Sequence, residues 1–128
     1  SEHITPELKS LHWLPVQQCV KFKVLVLTYK AIHQEAPAYL NELIQVHTPS
    51  RNLRSGDLML LNVPFTRSAL VQNRSFSVAA PRLWNQLPLV IRCSSSLSIF
   101  KNKLKTFLFT QFYDLLLYSI FTLIYLAF

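Results

Sequence analysis

The chain of 128 residues has a single glycine, Gly56, and few acidic residues. Phosphate-cradling loops of the P-loop and dinucleotide-binding types need several glycines at fixed spacing, so the composition excludes both classes. Asp and Glu number 6 against 13 Lys and Arg, which gives a formal net charge of +7. From Leu58 to Tyr113 there is no carboxylate at all, against seven Lys or Arg. Catalysis by paired carboxylates has little material here, whereas a stretch of purely positive charge suits a polyanion or an acidic protein face.

Cysteine and histidine are also sparse. Cys19 and Cys93 lie far apart and match no zinc-ribbon or secreted-framework spacing, so free buried thiols are expected, although the sequence leaves a disulfide open. The four histidines show no His-x-x-x-His spacing and adjoin no carboxylate cluster: His3, His12, His33 and His47. We therefore predict no metal site, no cofactor and no active site, and we do not expect the chain to be an enzyme.

The apolar pattern predicts a single helical domain with a modest core, since 51% of the residues are hydrophobic and only 15% are charged. Thr5-Pro6-Glu7 predicts the start of a short helix that ends near His12. A longer helix is predicted from Val16 to about Gln34. Its apolar positions cover nearly the whole circumference, which indicates a central element packed against several neighbours. Pro37 predicts a third helix that runs to about Val46.

The middle of the chain has a different character. Asp57 to Val63 and Gln72 to Val78 have an extended, apolar pattern and are predicted to pair as a short antiparallel β-ribbon. Ala79 to Gln86 is predicted to form one or two helical turns that end before Pro88.

The last third predicts one more helix, with a serine run, Ser94 to Ser96, as its cap. Its apolar stripe comprises Leu97, Phe100, Leu104, Phe107 and Leu108. Residues 107–128 hold a single charge, Asp114, and as a helix would measure about 33 Å, enough to cross a bilayer. Against a membrane span, the uninterrupted apolar part begins only at Leu115 and Asp114 is costly in lipid. The fold class predicted is therefore mainly α: a small helical domain with a short antiparallel β-ribbon in the middle and a C-terminal apolar helix.

The basic residues are the candidate binding site. Arginine grips phosphates with two parallel hydrogen bonds, and lysine adds charge along the backbone of a nucleic acid. The predicted nucleic-acid-binding residues are Arg51, Arg54, Arg67, Arg74, Arg82, Lys101, Lys103 and Lys105. Trp84 with Phe76 is a candidate stacking face for an unpaired base. The alternative is that both rings fill the core while the arginines solvate a surface.

Several blocks of sequence occur in an order that is typical of one family. They are Leu11 to Val16, Phe22 to Leu25, Thr28 to Ala31, Ala36 to Leu40, His47 to Ser55, Phe76 to Pro88 and Phe100 to Phe109. Together they resemble the C-terminal region of the reverse-transcriptase polyprotein of non-LTR (LINE-type) retrotransposons, in the chicken-repeat and jockey-like group. The resemblance covers roughly Ile4 to Phe109 and departs at Gln34-Glu35, where the family usually has a glycine turn.

The resemblance implies a role without catalysis. In that family the polymerase and endonuclease motifs lie upstream, and this chain has no Asp-Asp pair to hold magnesium. Residues 1–109 correspond to the region after the thumb, which is expected to hold template RNA or target DNA near the polymerase, and 110–128 form an apolar extension. The implied partners are RNA or DNA and the upstream domains of the polyprotein, with a nuclear or cytoplasmic location.

Two other functions stay open at this point. One is a structural scaffold that packs on the polymerase thumb and has no independent activity. The other is a tail-anchored membrane protein, held in the bilayer through residues 107–128.

Overall fold

The computed structural model describes residues 15–48, 59–68 and 75–127, and this part of the chain is mainly helical. In chain order the helices are α1 (Val16–Ile32), α2 (Ala38–Leu43), α3 (Phe76–Asn85), α4 (Leu89–Arg92) and α5 (Leu97–Ala127). The short helix predicted from Thr5 to His12 lies outside the described residues.

Helix α1 is the central element, as its apolar circumference predicted. It begins directly after Pro15, whose extended backbone serves as the N-cap, and it packs against α2, α3 and α5. Phe22, Leu25 and Tyr29 are buried in the core. One side of the helix remains in solvent, where Val16 and Val20 are exposed.

The C-terminal end of α1 closes on a residue in a left-handed conformation. The Glu35 amide donates to the Lys30 carbonyl at 2.7 Å, and Gln34 has a φ of 59°. A hydrogen bond from an N–H to the carbonyl five residues earlier is the signature of a Schellman cap. The left-handed position in this cap favours glycine. Gln34 therefore occupies the place where the resembled family has its glycine turn.

The predicted antiparallel ribbon between Asp57–Val63 and Gln72–Val78 is wrong. The described residues contain no β-strand, and the last part of the second segment, from Phe76, belongs to α3. Residues 60–62 instead meet residues 45–47 in a single antiparallel bridge between Val46 and Leu61. Ile44 has an extended backbone and residues 45–47 take part in this pairing, so α2 ends at Leu43 and not near Val46 as predicted.

Side chains of α3 take the hydrogen-bonding place that a second strand of the ribbon would have had. The Asn85 amide donates from Nδ2 to the Leu61 carbonyl at 3.0 Å, and Asn85 Oδ1 accepts the Leu61 N–H at 2.9 Å. The Trp84 Nε1–H donates to the Met59 carbonyl at 2.7 Å. These side chains satisfy backbone groups that a neighbouring strand would otherwise pair, as buried polar groups require.

The centre of the core is an aromatic cluster that joins three helices. Tyr29 of α1 lies 4.6 Å from Phe100 of α5 between ring centroids, and Trp84 of α3 lies 5.6 Å from the same ring. The Tyr29 hydroxyl donates to the Ser94 carbonyl at 3.0 Å. Buried aromatic rings contribute large apolar areas, so this cluster holds the body of the domain together.

Helix α5 confirms two predictions and extends well beyond the core. The Ser96 hydroxyl accepts the Ile99 N–H at 3.3 Å, so the serine run does cap the helix. Phe100, Leu104 and Leu108 of the predicted stripe are buried, with Leu97 and Phe107 packed beside them. From Phe109 to Ala127, which we call the tail, almost every side chain is exposed. The predicted C-terminal apolar helix is therefore present.

Candidate nucleic-acid interface

Five of the eight predicted binding residues lie in the described part of the chain: Arg67, Arg82, Lys101, Lys103 and Lys105. The other three, Arg51, Arg54 and Arg74, lie outside the described residues. The charge predicted from sequence is retained at the surface, because Arg67 and Arg82 are exposed and the three lysines are half-buried.

Arg82 projects from the solvent side of α3. Trp84 and Ala80 of the same helix are buried, whereas Arg82 and Gln86, one turn apart, are exposed. Gln86 lines a narrow cleft together with Lys21 of α1 and Gln111 of α5. Arg82 thus lies one helical turn from a cleft that carries a second cation and two amides, groups that can donate hydrogen bonds to phosphate oxygens.

Lys21 is a residue that the sequence argument missed as a site candidate. It belongs to a thin polar stripe of α1 that also contains Gln17 and Thr28, and this stripe was the available signal. Thr28 turns inward and donates to the Val24 carbonyl at 2.7 Å. Only Lys21 of the three reaches the cleft formed with α3 and α5.

The three lysines of α5 do not form one face. Lys101 and Lys105 are four residues apart and share a side of the helix, because side chains at that spacing lie one above the other. Lys103 points to the other side, where its Nζ donates to the Val90 carbonyl at 3.3 Å. There it borders an open, mainly apolar groove of about 440 Å³ between α4 and α5, with Asn102 and Thr106 nearby.

Arg92 is positive but has a structural task. It is buried at the end of α4, and its Nε donates to the Leu87 carbonyl at 3.0 Å. This hydrogen bond ties the α4 turn to the residue that follows α3. Arg92 therefore lies inside the body and not on a binding surface.

The proposed stacking face of Trp84 and Phe76 is wrong. Trp84 has 0% of its surface exposed and its indole N–H is committed to Met59, while Phe76 packs against the core. A base could not reach Trp84 without opening the core, and the half-buried Phe76 alone does not form the predicted pair. The alternative, that both rings fill the core, is the one observed.

The titratable groups near the core include one with a perturbed pKa. Burial, and next the negative charge of Glu35, raise the pKa of Tyr29 above its usual value of 10.0. Its hydroxyl is held by Ser94, so this perturbation belongs to packing and not to an acid–base site. Within residues 15–48, 59–68 and 75–127, no three His, Cys, Asp or Glu side chains converge in a way that would hold a metal ion.

Comparison with known proteins gives no relative. No model of a protein family, no curated protein and no solved structure matches the chain. The function must therefore be argued from its own residues.

Proposed function

We propose that this chain is a non-catalytic part of a retrotransposon reverse transcriptase that helps to hold template RNA or target DNA. One observation supports the proposal most directly. In the described residues between Met59 and Tyr113, every charged side chain is positive. They are Arg67, Arg82, Arg92, Lys101, Lys103 and Lys105.

The local geometry favours contact with the backbone of a nucleic acid over recognition of its bases. Lys21 lines the cleft between α1, α3 and α5, and the exposed Arg82 lies one helical turn from Gln86 of the same cleft. Trp84, the main candidate for stacking on a base, is in the core, and Phe76 is half-buried against it. Phosphate contacts fix position without carrying sequence information, so we expect RNA and DNA of any sequence to bind with similar affinity.

The test is binding of the full chain to single-stranded RNA and duplex DNA, measured by filter retention between about 50 and 200 mM salt. Phosphate contacts release counterions, so log K should fall linearly with log salt concentration. Arg82→Ala should make that slope shallower by about 1, and Arg67→Ala should do the same.

Lys23→Ala is the matched control. Lys23 is exposed on the solvent side of α1, beside Val20 and away from the cleft. The Lys23→Ala variant removes one positive charge from a helix surface and should leave the slope of log K against log salt concentration nearly unchanged. Equal losses for Lys23→Ala and Arg82→Ala would reject a defined interface, and binding that is insensitive to salt would reject phosphate contact altogether.

A second candidate, a scaffold that packs on the polymerase thumb, is favoured by one feature of α1. Val16, Val20 and Leu27 recur at helical spacing and are exposed in the same solvent-facing stripe. Exposed apolar stripes of this kind mark contact surfaces. Val20→Ser with Leu27→Ser should abolish association with the upstream thumb in a pull-down and leave RNA binding intact; loss of RNA binding with thumb association retained would reject the scaffold.

A further inference from the structure

The tail of α5, residues 109–127, exposes an apolar surface that the body does not cover. The side chains of Leu117, Phe121 and Leu126 are exposed to 61%, 71% and 76%. Single exposed apolar residues are ordinary, but a continuous set along several turns of one helix marks a surface that avoids water in the functioning protein.

The distribution of these side chains around the helix identifies what covers them. Leu115, Leu116 and Leu117 follow one another and all three are exposed. Successive residues of a helix point about 100° apart, so these leucines alone face three different directions. A helix with apolar side chains on every side belongs either in the core of a large protein or in a membrane, and the described residues form no core around this tail. Lipid is the occupant that surrounds a helix.

The length and the polar groups of the tail agree with a bilayer. At a rise of about 1.5 Å per residue, residues 109–127 measure about 28 Å, close to the hydrocarbon thickness of about 30 Å. By length and composition, Leu97–Ala127 qualifies as a membrane-spanning helix. The hydroxyl of Thr122 donates to the Tyr118 carbonyl at 2.8 Å, so it carries its own acceptor within the helix. Asp114, the single charge, lies in the half of the tail nearer the body.

The charges before the tail set its direction. Lys101, Lys103 and Lys105 precede it by less than three turns, and cytoplasmic flanks of membrane helices carry an excess of lysine and arginine. We propose that residues 109–127 span a lipid bilayer, with the helical body on the cytoplasmic side and the α5 lysines beside anionic head groups. This proposal goes beyond nucleic-acid holding and does not depend on it.

The experiment uses the full chain, translated with microsomes and extended after Phe128 by a short segment carrying an N-glycosylation acceptor. The chain should resist extraction by carbonate, and the acceptor should be glycosylated, because the C-terminal end reaches the lumen. Protease added outside should digest the body. A chain that carbonate extracts, or that stays unglycosylated with its body protected, overturns the proposal.

A matched pair of variants tests whether depth in lipid matters. Phe121→Arg places a charge near the middle of the span, whereas Leu126→Arg places it at the end, where a long side chain reaches the interface. Both residues are exposed, so neither change disturbs the core. Phe121→Arg should lower the ratio of glycosylated to unglycosylated chain about tenfold or more, and Leu126→Arg should leave it within about twofold.

Asp114→Asn should change the inserted fraction in the opposite direction to Phe121→Arg. Removing the charge should raise the inserted fraction, because a carboxylate in the hydrocarbon region opposes insertion. Equal behaviour of Phe121→Arg and Leu126→Arg, together with cross-linked dimers in detergent-free buffer, would assign the tail to a second copy and reject the span. RNA binding measured on the same variants separates this outcome from failure of the proposed nucleic-acid role.

Discussion

Helix α5 places two stretches rich in apolar residues in opposite environments. In residues 97–108 the apolar side chains other than the exposed Ile99 fall in one stripe, and Phe100, Leu104 and Leu108 of that stripe are buried against α1 and its neighbours. In the tail the apolar side chains point in every direction and face solvent. The comparison teaches that hydrophobicity alone does not predict burial: its periodicity does, because a packed helix needs a polar side and a lipid-facing helix does not.

The largest expected effect comes from truncating a phenylalanine in each of the two stretches of α5 and comparing the loss of stability. Phe100→Ala should destabilise the body by about 3–5 kcal/mol, since it removes a ring that is 0% exposed and leaves a cavity beside Tyr29 and Trp84. Phe121→Ala should change the free energy of unfolding in water by less than about 0.5 kcal/mol, because its ring is 71% exposed. Urea denaturation followed by tryptophan fluorescence measures both. A comparable loss for the two variants would mean that the tail folds back on the body.

The next largest effect is expected at Asn85, whose side chain holds segment 59–62 against the body. Asn85→Ala removes both hydrogen bonds to Leu61 and leaves its backbone N–H and carbonyl without these partners. We expect a loss of about 1–3 kcal/mol in the free energy of unfolding and faster hydrogen exchange at the Leu61 amide. Asn85→Asp is a useful companion, because it keeps the acceptor for the Leu61 N–H and loses only the donor. If exchange at Leu61 stays slow in Asn85→Ala, the segment is held by other means.

The burial of Tyr29 predicts a dependence of stability on pH. Because the folded state raises the pKa of Tyr29 above its usual value of 10.0, the folded protein holds this proton more tightly than the unfolded chain does. That contribution to stability is complete below about pH 10 and is lost as the pH rises through the folded-state pKa.

Tyr29→Phe should cost about 1 kcal/mol at neutral pH, since the hydrogen bond to Ser94 is lost. It should also flatten the fall in stability above pH 10, as measured by thermal unfolding across a pH series. The exposed Tyr118→Phe in the tail is the control and should alter neither quantity. An unchanged alkaline slope in Tyr29→Phe would refute the assignment.

The smallest expected effect is a gain at the end of α1. Gln34 holds a φ of 59°, a conformation that costs non-glycine residues about 1–2 kcal/mol. Gln34→Gly should therefore stabilise the body by about 0.5–1 kcal/mol, after the larger entropy loss of glycine on folding is offset. His33→Gly, one residue earlier at a φ of -90°, should destabilise and serves as the control. No gain in melting temperature for Gln34→Gly would show that the turn carries no strain.

Regular periodicity explains what the sequence could predict of this fold. The long α1, the serine cap and the buried stripe of α5 follow from local pattern and hydrogen-bonding chemistry that neighbouring residues decide. The ribbon failed because Leu61 is partnered by Asn85, 24 residues away, and by an edge at Val46. An asparagine side chain that stands in for a strand has no periodic signature in sequence.

The candidate site was predictable only in its charge. Counting residues predicted a positive surface, and Arg67 and Arg82 are indeed exposed. The sequence did not reveal that Lys103 donates to the Val90 carbonyl, or that Lys21 of α1 shares a cleft with Gln86. Such groupings depend on how helices pack, and the thin polar stripe of Gln17, Lys21 and Thr28 does not by itself indicate which helices it will face.

From Leu97 to Ala127, α5 contains neither glycine nor proline, the residues at which helices usually hinge. The helix is therefore a stiff connection between body and tail, and the direction of the tail is fixed relative to the body. Inserting a single alanine after Leu108 would turn the tail by about 100° beneath an unchanged body. Because α5 is continuous, the tilt of the tail in a bilayer would set the tilt of the body, and with it the angle at which the cleft lined by Lys21 and Gln86 faces an approaching polyanion.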